Sequence, residues 1–130
     1  MKSNYKIAVG VIGSFVFGVG AATLPHAQGT APYYEVAEIN VKDQAGYEAS
    51  GVDKVRDSIK ANGGKVIAGG YNKTVARVGA APGNRVLIVQ WPNKEAADKV
   101  WAQSTKPWID AEGMKYADFR DVGLEGIEQK

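Results

Sequence analysis

Tyr34 and Glu38 are the first residues of the chain whose types and spacing suggest chemistry. They stand four apart in Tyr33 to Val41 (YYEVAEINV), an alternating stretch that reads as a β-strand, so both side chains leave the same face. A carboxylate beside a phenol suits a general base, with Tyr34 or Asn62 to orient a substrate. The plainer alternative for Glu38 is a structural carboxylate, hydrogen-bonded or paired with Arg85 or Lys115. Asn62 equally reads as a helix cap. Tyr34, Glu38, Asn62, Trp91, Trp101 and Trp108 make up the candidate pocket, aromatic enough for a small apolar ligand. Aromatic residues at such positions also serve as plain core.

What the chain lacks narrows the chemistry further. It has no Cys, and its single His, His26, falls at the end of a stretch that reads as a cleaved leader. A mature chain without His or Cys has no Cys nucleophile, no Ser–His triad, no His- or Cys-ligated zinc and no His-ligated haem. We expect no metal site and no cofactor. The glycine-rich stretch Asn62 to Gly70 (NGGKVIAGG) lacks the spacing of a dinucleotide or P-loop motif, and it ends a helical pattern instead of opening one. Gly63 and Gly64 therefore read as a helix stop, and Gly69 and Gly70 as a bend or bulge in a strand.

The N-terminal pattern sets the expected compartment. Lys2 and Lys6 precede an uncharged apolar run, Ile7 to Ala22, followed by Thr23 to Ala27 with small residues. That order predicts a signal peptide over 1–27, cleaved near Ala27, and a periplasmic or secreted protein without stable membrane insertion after cleavage. The run is short for a membrane span. Loss of Lys2 and Lys6 reduces the 16 basic residues to 14, equal to the 14 acidic ones. A neutral chain without a basic run argues against nucleic acid as a partner.

The elements that must position these residues follow in order. Residues 28–32 read as a linker and 33–126 as one domain, with a tail at 127–130. After the first strand, Asp43 caps a helix running to Ala61, with Tyr47, Val52, Val55 and Ile59 as its packing stripe. Lys65 to Tyr71 and Thr74 to Val78 read as a second strand, and Pro82-Gly83 as a turn. Arg85 to Trp91 (RVLIVQW) is a nearly continuous apolar run, hence a central strand. Asn93 caps a second helix that restarts near Ser104-Thr105 with Pro107 in its first turn, and Phe119 to Leu124 is the last strand. The order β-α-β-β-α-β predicts an α+β fold, a ferredoxin-like antiparallel sheet with helices on one face. The other face is left for a partner to cover.

Several of these residues resemble a known family. Tyr34 with Glu38, Asp43 and Tyr47, Gly63-Gly64 with Gly69-Gly70, Arg85, the step Trp91-Pro92-Asn93-x-Glu95-Ala96-Ala97 and Trp101 are similar to the proteins grouped as domain of unknown function 1330. The resemblance implies a dimeric α/β barrel, two sheets of a homodimer packed face to face, and no agreed activity. Relatives by fold include cofactor-independent monooxygenases, small-lactone isomerases and haem-handling proteins, and such likeness does not assign a function. The chain departs from the pattern at Asn62, Gln90, Ala102 and Lys115, each departure removing a titratable, aromatic or strongly polar group. Three functions stay open: an exported homodimer that binds a small apolar or aromatic molecule, a cofactor-free enzyme with Glu38 as base, or a structural or stress-related dimer without ligand. A cavity of roughly a few hundred Å³ beside Glu38 would favour the first two.

Overall fold

The computed structural model describes residues 31–128. The expected leader, residues 28–30 of the linker and the last two residues of the tail lie outside them. The described elements are β1 (Tyr33–Val41), α1 (Gln44–Ala49), α2 (Val52–Ala61), β2 (Lys65–Tyr71), β3 (Arg85–Trp91), α3 (Lys94–Val100), a π-helical turn (Trp101–Thr105), α4 (Lys106–Ala111), a 3-10 turn (Gly113–Lys115) and β4 (Ala117–Glu125). The strands form one sheet in the order β2-β3-β1-β4, every neighbouring pair antiparallel. This is the α+β, ferredoxin-like arrangement that the element order predicts.

Alternation assigns the faces. Ile39 and Val41 of β1, Val89 and Trp91 of β3 and Ala117 of β4 are buried against Tyr47, Val52 and Val55 from the first helical segment and Ala97 and Val100 from the second. The core falls into two groups, one around Ile39, Val41, Tyr47, Val52 and Ala117, the other around Val89, Trp91, Ala97 and Val100. The residues of opposite parity, including Val36, Glu38, Ile88, Arg120 and Val122, occupy the uncovered face, where Val122 and Leu124 are exposed. Both predicted caps form. Asp43 accepts from the Gly46 N–H at 3.0 Å, and Asn93 accepts from the Ala96 N–H at 2.9 Å.

Three elements differ from the sequence reading. The first helix is not continuous from Asp43 to Ala61. It breaks at Ser50-Gly51, where Gly51 takes φ +90°, and the Trp108 indole N–H braces the break by reaching the carbonyl and Oγ of Ser50, each at 3.2 Å. Thr74 to Val78 forms no strand. Pairing with β3 ends at Tyr71–Arg85, Asn72 turns the chain aside at φ +54°, and the alternating residues that follow find no neighbouring strand. The second helix does not stop and restart before Pro107. Proline lacks an N–H and would press on the carbonyl four residues back in a regular helix. A widened turn, in which the Lys106 N–H reaches the Trp101 carbonyl, carries the chain past it.

The paired glycines have distinct reasons. Gly63 takes φ +85° at the end of α2, and Gly64 lies against Ile59 and Trp91. β2 passes through Gly69 and Gly70 after a bulge between Val66 and Ala68. Gly69 has φ +103°, and a Cβ there would run into the Val86 carbonyl oxygen, so both backbone shape and space demand glycine.

Candidate functional site

Two carboxylates sit on the wrong side of their strands. Glu35 shares the apolar, helix-facing parity of Ala37, Ile39 and Val41, and Asp121 shares that of Phe119 in β4. In the register Glu35 lies opposite Gly123 on β4 and Val89 on β3, which makes Asp121 its diagonal neighbour on one side and Trp91 on the other. Gly123 carries no side chain, and the Tyr33 phenol lies over it, its hydroxyl standing where a Cβ would be, directly across from Glu35.

The electrostatics follow from that placement. Burial pushes the Glu35 carboxyl up to about 8, and the nearby charge and hydrogen-bonding contact of Asp121 push the same way, with Asp98 of α3 adding to them. Asp121 is also raised, by burial foremost. With its carboxyl pushed up to about 8, Glu35 retains its proton near neutral pH. The Trp91 indole N–H lies close enough to Glu35 to offset part of its upward shift, yet it falls short of hydrogen-bonding geometry. Trp91 is 1 % exposed, so its N–H is a buried donor without a partner among the described residues.

This cluster stands where two spaces meet. Inward, a cavity of about 80 Å³ runs between sheet and helices, walled by Tyr47, Val55, Leu87, Trp91, Trp108 and Phe119 and bordered by Glu35 and Asp121. The edge-to-face pairs Tyr47–Trp108 and Trp108–Phe119, with ring centroids 5.6 and 5.5 Å apart, hold the aromatic wall in shape. Outward, a more polar cleft of about 170 Å³ is formed by Tyr33, Glu35, Ala97, Asp98, Trp101, Asp121 and Gly123. Trp101 opens the π-helical turn, a distortion that recurs at functional sites.

The far end of the cavity has the opposite character. Arg56 grips Glu48 through both guanidinium nitrogens, at 2.8 and 3.0 Å, and the Tyr71 hydroxyl donates to the same carboxylate at 2.8 Å. Hydrogen bonding by Arg56 holds the Glu48 carboxyl below its ordinary value, and burial together with that carboxylate pushes the Tyr71 phenol up to about 12. Arg85 lies over the Tyr71 ring, 4.5 Å from its centroid. Arg56 and Arg85 both border the cavity.

Of the residues singled out in the sequence, Trp91 and Trp108 line the cavity and Trp101 lines the cleft. Asn62 ends α2, where its side-chain amide donates to the Ser58 carbonyl at 2.8 Å. Tyr34 and Glu38 face the other side of the sheet, and Glu38 is paired with Arg120 rather than with Arg85 or Lys115. The space beside Glu38 is a groove of about 370 Å³, open to solvent, bordered by Asn40, Asp118, Arg120 and the segment Ala80 to Gly83. Glu35 and Asp121 were not among the sequence candidates. The signal that could have found them is a carboxylate on the apolar parity of each of two strands. No group of three or more His, Cys, Asp or Glu residues able to hold a metal ion occurs among the described residues.

Comparison with known proteins agrees with this architecture. Crystal structures of the RPA0582 protein superpose with TM-scores of 0.58 and 0.59. The first, of the methylated protein, is 16 % identical and aligns over 75 % of this chain and 82 % of that one. The second, described as a protein of unknown function from Rhodopseudomonas palustris, is 15 % identical and aligns over 78 % and 86 %. At that identity the likeness concerns the fold. No curated protein matches the sequence. The model of the family described as Domain of unknown function (DUF1330) matches residues 32–106, more than half of the chain, and the chain belongs to that family.

Proposed function

We propose that the chain is an exported homodimeric protein that binds a small apolar or aromatic molecule in the space between its sheet and its helices. The observation that carries this reading is the aromatic-walled cavity ending on the Glu35–Asp121 pair. Apolar walls with a few convergent polar groups are the usual make-up of a ligand pocket. The leader-like pattern before residue 28 supports export. Val36, Ile88, Val122 and Leu124 on the uncovered sheet face support a second copy as the covering partner. Native mass spectrometry of the protein recovered from its own host is the test. The expected species is a dimer of the cleaved chain with extra small-molecule mass. A protein that emerges empty, and in which no hydrocarbon or arene of a fragment panel perturbs cavity NMR signals, ends this reading.

A second reading, cofactor-independent acid–base catalysis, draws on one observation, the placement of Glu35 and Asp121 together at the cavity's border, where burial raises both carboxyls. With Glu38 held by Arg120 on the uncovered face, the base in that reading becomes the Glu35–Asp121 pair. Turnover of a bound compound that disappears in Glu35→Gln would favour it over simple binding.

A further inference from the structure

We infer that the molecule taken up carries a neutral acceptor oxygen of the ketone, lactone or amide kind, held jointly by the Trp91 indole N–H and the Glu35 carboxyl. This rests on the binding reading above and names the ligand's chemistry. The cluster has donors to spare. Trp91 Nε1 is buried and meets no acceptor, and Glu35 and Asp121 stand side by side on the same face with no cation between them. An unmade bond at a buried donor is costly, so a ligand that completes it gains affinity.

The alternatives fail on one group or another. A cationic ligand satisfies the carboxyls but leaves the indole N–H without a partner. An anionic ligand satisfies the indole but meets Asp98 and Asp121, and no cationic side chain lines the cleft to offset them. Arg56 is taken by Glu48. Arg85, stacked on the Tyr71 ring with its Nε unpartnered among the described residues, stands at the cavity's far end, four residues of strand from the Glu35 level and out of reach of a group bonded to Trp91. Arg120 turns to Glu38 on the other face. A carbonyl oxygen has two lone pairs and accepts from both the indole N–H and the protonated carboxyl. Size sets the rest. A dry cavity of about 150 Å³ takes benzene, so about 80 Å³ suits roughly three or four non-hydrogen atoms. The remainder of a larger molecule would lie in the cleft between Tyr33 and Trp101.

The test titrates the ¹⁵N-labelled protein with acetone and, separately, with isobutane, each of a size the cavity takes, reading the indole N–H signals and assigning Trp91 through Trp91→Phe. The groups facing Glu35 are Asp121 from β4, Asp98 from α3 and the Trp91 indole from β3. The expected result is a selective shift of the Trp91 N–H signal by the ketone and about tenfold tighter binding of ketone than hydrocarbon. That preference should shrink in Trp91→Phe. It should also decline as pH rises through about 8, because the ionised Glu35 repels the oxygen it had bonded, and Glu35→Gln should abolish the decline while keeping a donor. Equal binding of both probes, with the indole signal unmoved, overturns this inference and leaves the apolar binding site standing. Failure of both probes to perturb any cavity signal overturns the two together.

Discussion

Glu48 and Glu35 lie toward opposite ends of one sheet–helix layer and are treated in opposite ways. Glu48 has a bidentate arginine and a phenol hydroxyl, and its pKa is lowered. Glu35 has another acid and an indole that does not complete its bond, and its pKa is raised to about 8. About 13 Å of strand, from Ile39 at the Arg85 level to Glu35, separates the two regimes. At one end the carboxylate is fully partnered, although Arg85 Nε beside it is buried without an acceptor among the described residues; at the other the carboxyl itself is left without a cation. The Glu35 end, where a carboxyl lacks a cation and a buried indole N–H lacks an acceptor, is where something from outside is expected.

The comparison breaks first, and most strongly, on the pH dependence of stability. The folded pKa of Glu35 lies above the ordinary 4.5, so between the two values the folded chain holds the additional proton and stability falls as pH rises from about 4.5 to 8. Glu35→Gln should be neutral near pH 4 and stabilise by about 2 kcal/mol near pH 9, a figure already discounted for partial solvent screening. Urea denaturation across pH reads this, and a difference independent of pH would contradict it. Asp121→Asn comes next. It removes the neighbouring charge but not the burial, so the Glu35 midpoint followed by carboxyl NMR should drop toward 4.5 without reaching it.

The paired end answers with smaller effects of opposite sign. Arg56→Ala should cost about 1 kcal/mol at neutral pH, since the pair is bidentate but about a third exposed. The folded pKa of Glu48 is lowered, so its contribution is present above the ordinary carboxylate value and is lost as pH falls through the folded one. The Arg56→Ala penalty should shrink over that acidic window, and a penalty that grew there would reverse the assignment. Tyr71→Phe should cost least, about 0.5 kcal/mol, because it deletes one hydrogen bond to Glu48 and leaves the ring beneath Arg85.

Much of the fold was legible because alternation and helical spacing report burial directly. YYEVAEINV and RVLIVQW announce their strands, and Asp43 and Asn93 their helix starts. The misreadings came where local pattern and tertiary partner disagree. Thr74 to Val78 alternates like a strand, but alternation cannot say whether a neighbouring strand exists. Gly51 sits inside a helical stripe, and the stripe continues on both sides of its break. The site was harder for the same reason. Trp91, Trp101 and Trp108 could be named as pocket candidates from residue type. Glu35 and Asp121 become a pair only when β1 and β4 are set in register, across more than eighty residues of chain. Glu38 drew notice because it stood beside Tyr34, on a face where Arg120 satisfies it.

The widened turn at Trp101–Thr105 also bears on how such a chain changes over generations. Inserting one residue into an α-helix rotates everything beyond it by about 100° and spoils its packing. A π-turn absorbs the surplus residue in place, so α3 and α4 both keep their apolar sides on the sheet. Trp101 belongs to neither core group, yet it forms part of the cleft. A substitution at Trp101 should therefore reshape the mouth of the cleft while leaving both core groups in place.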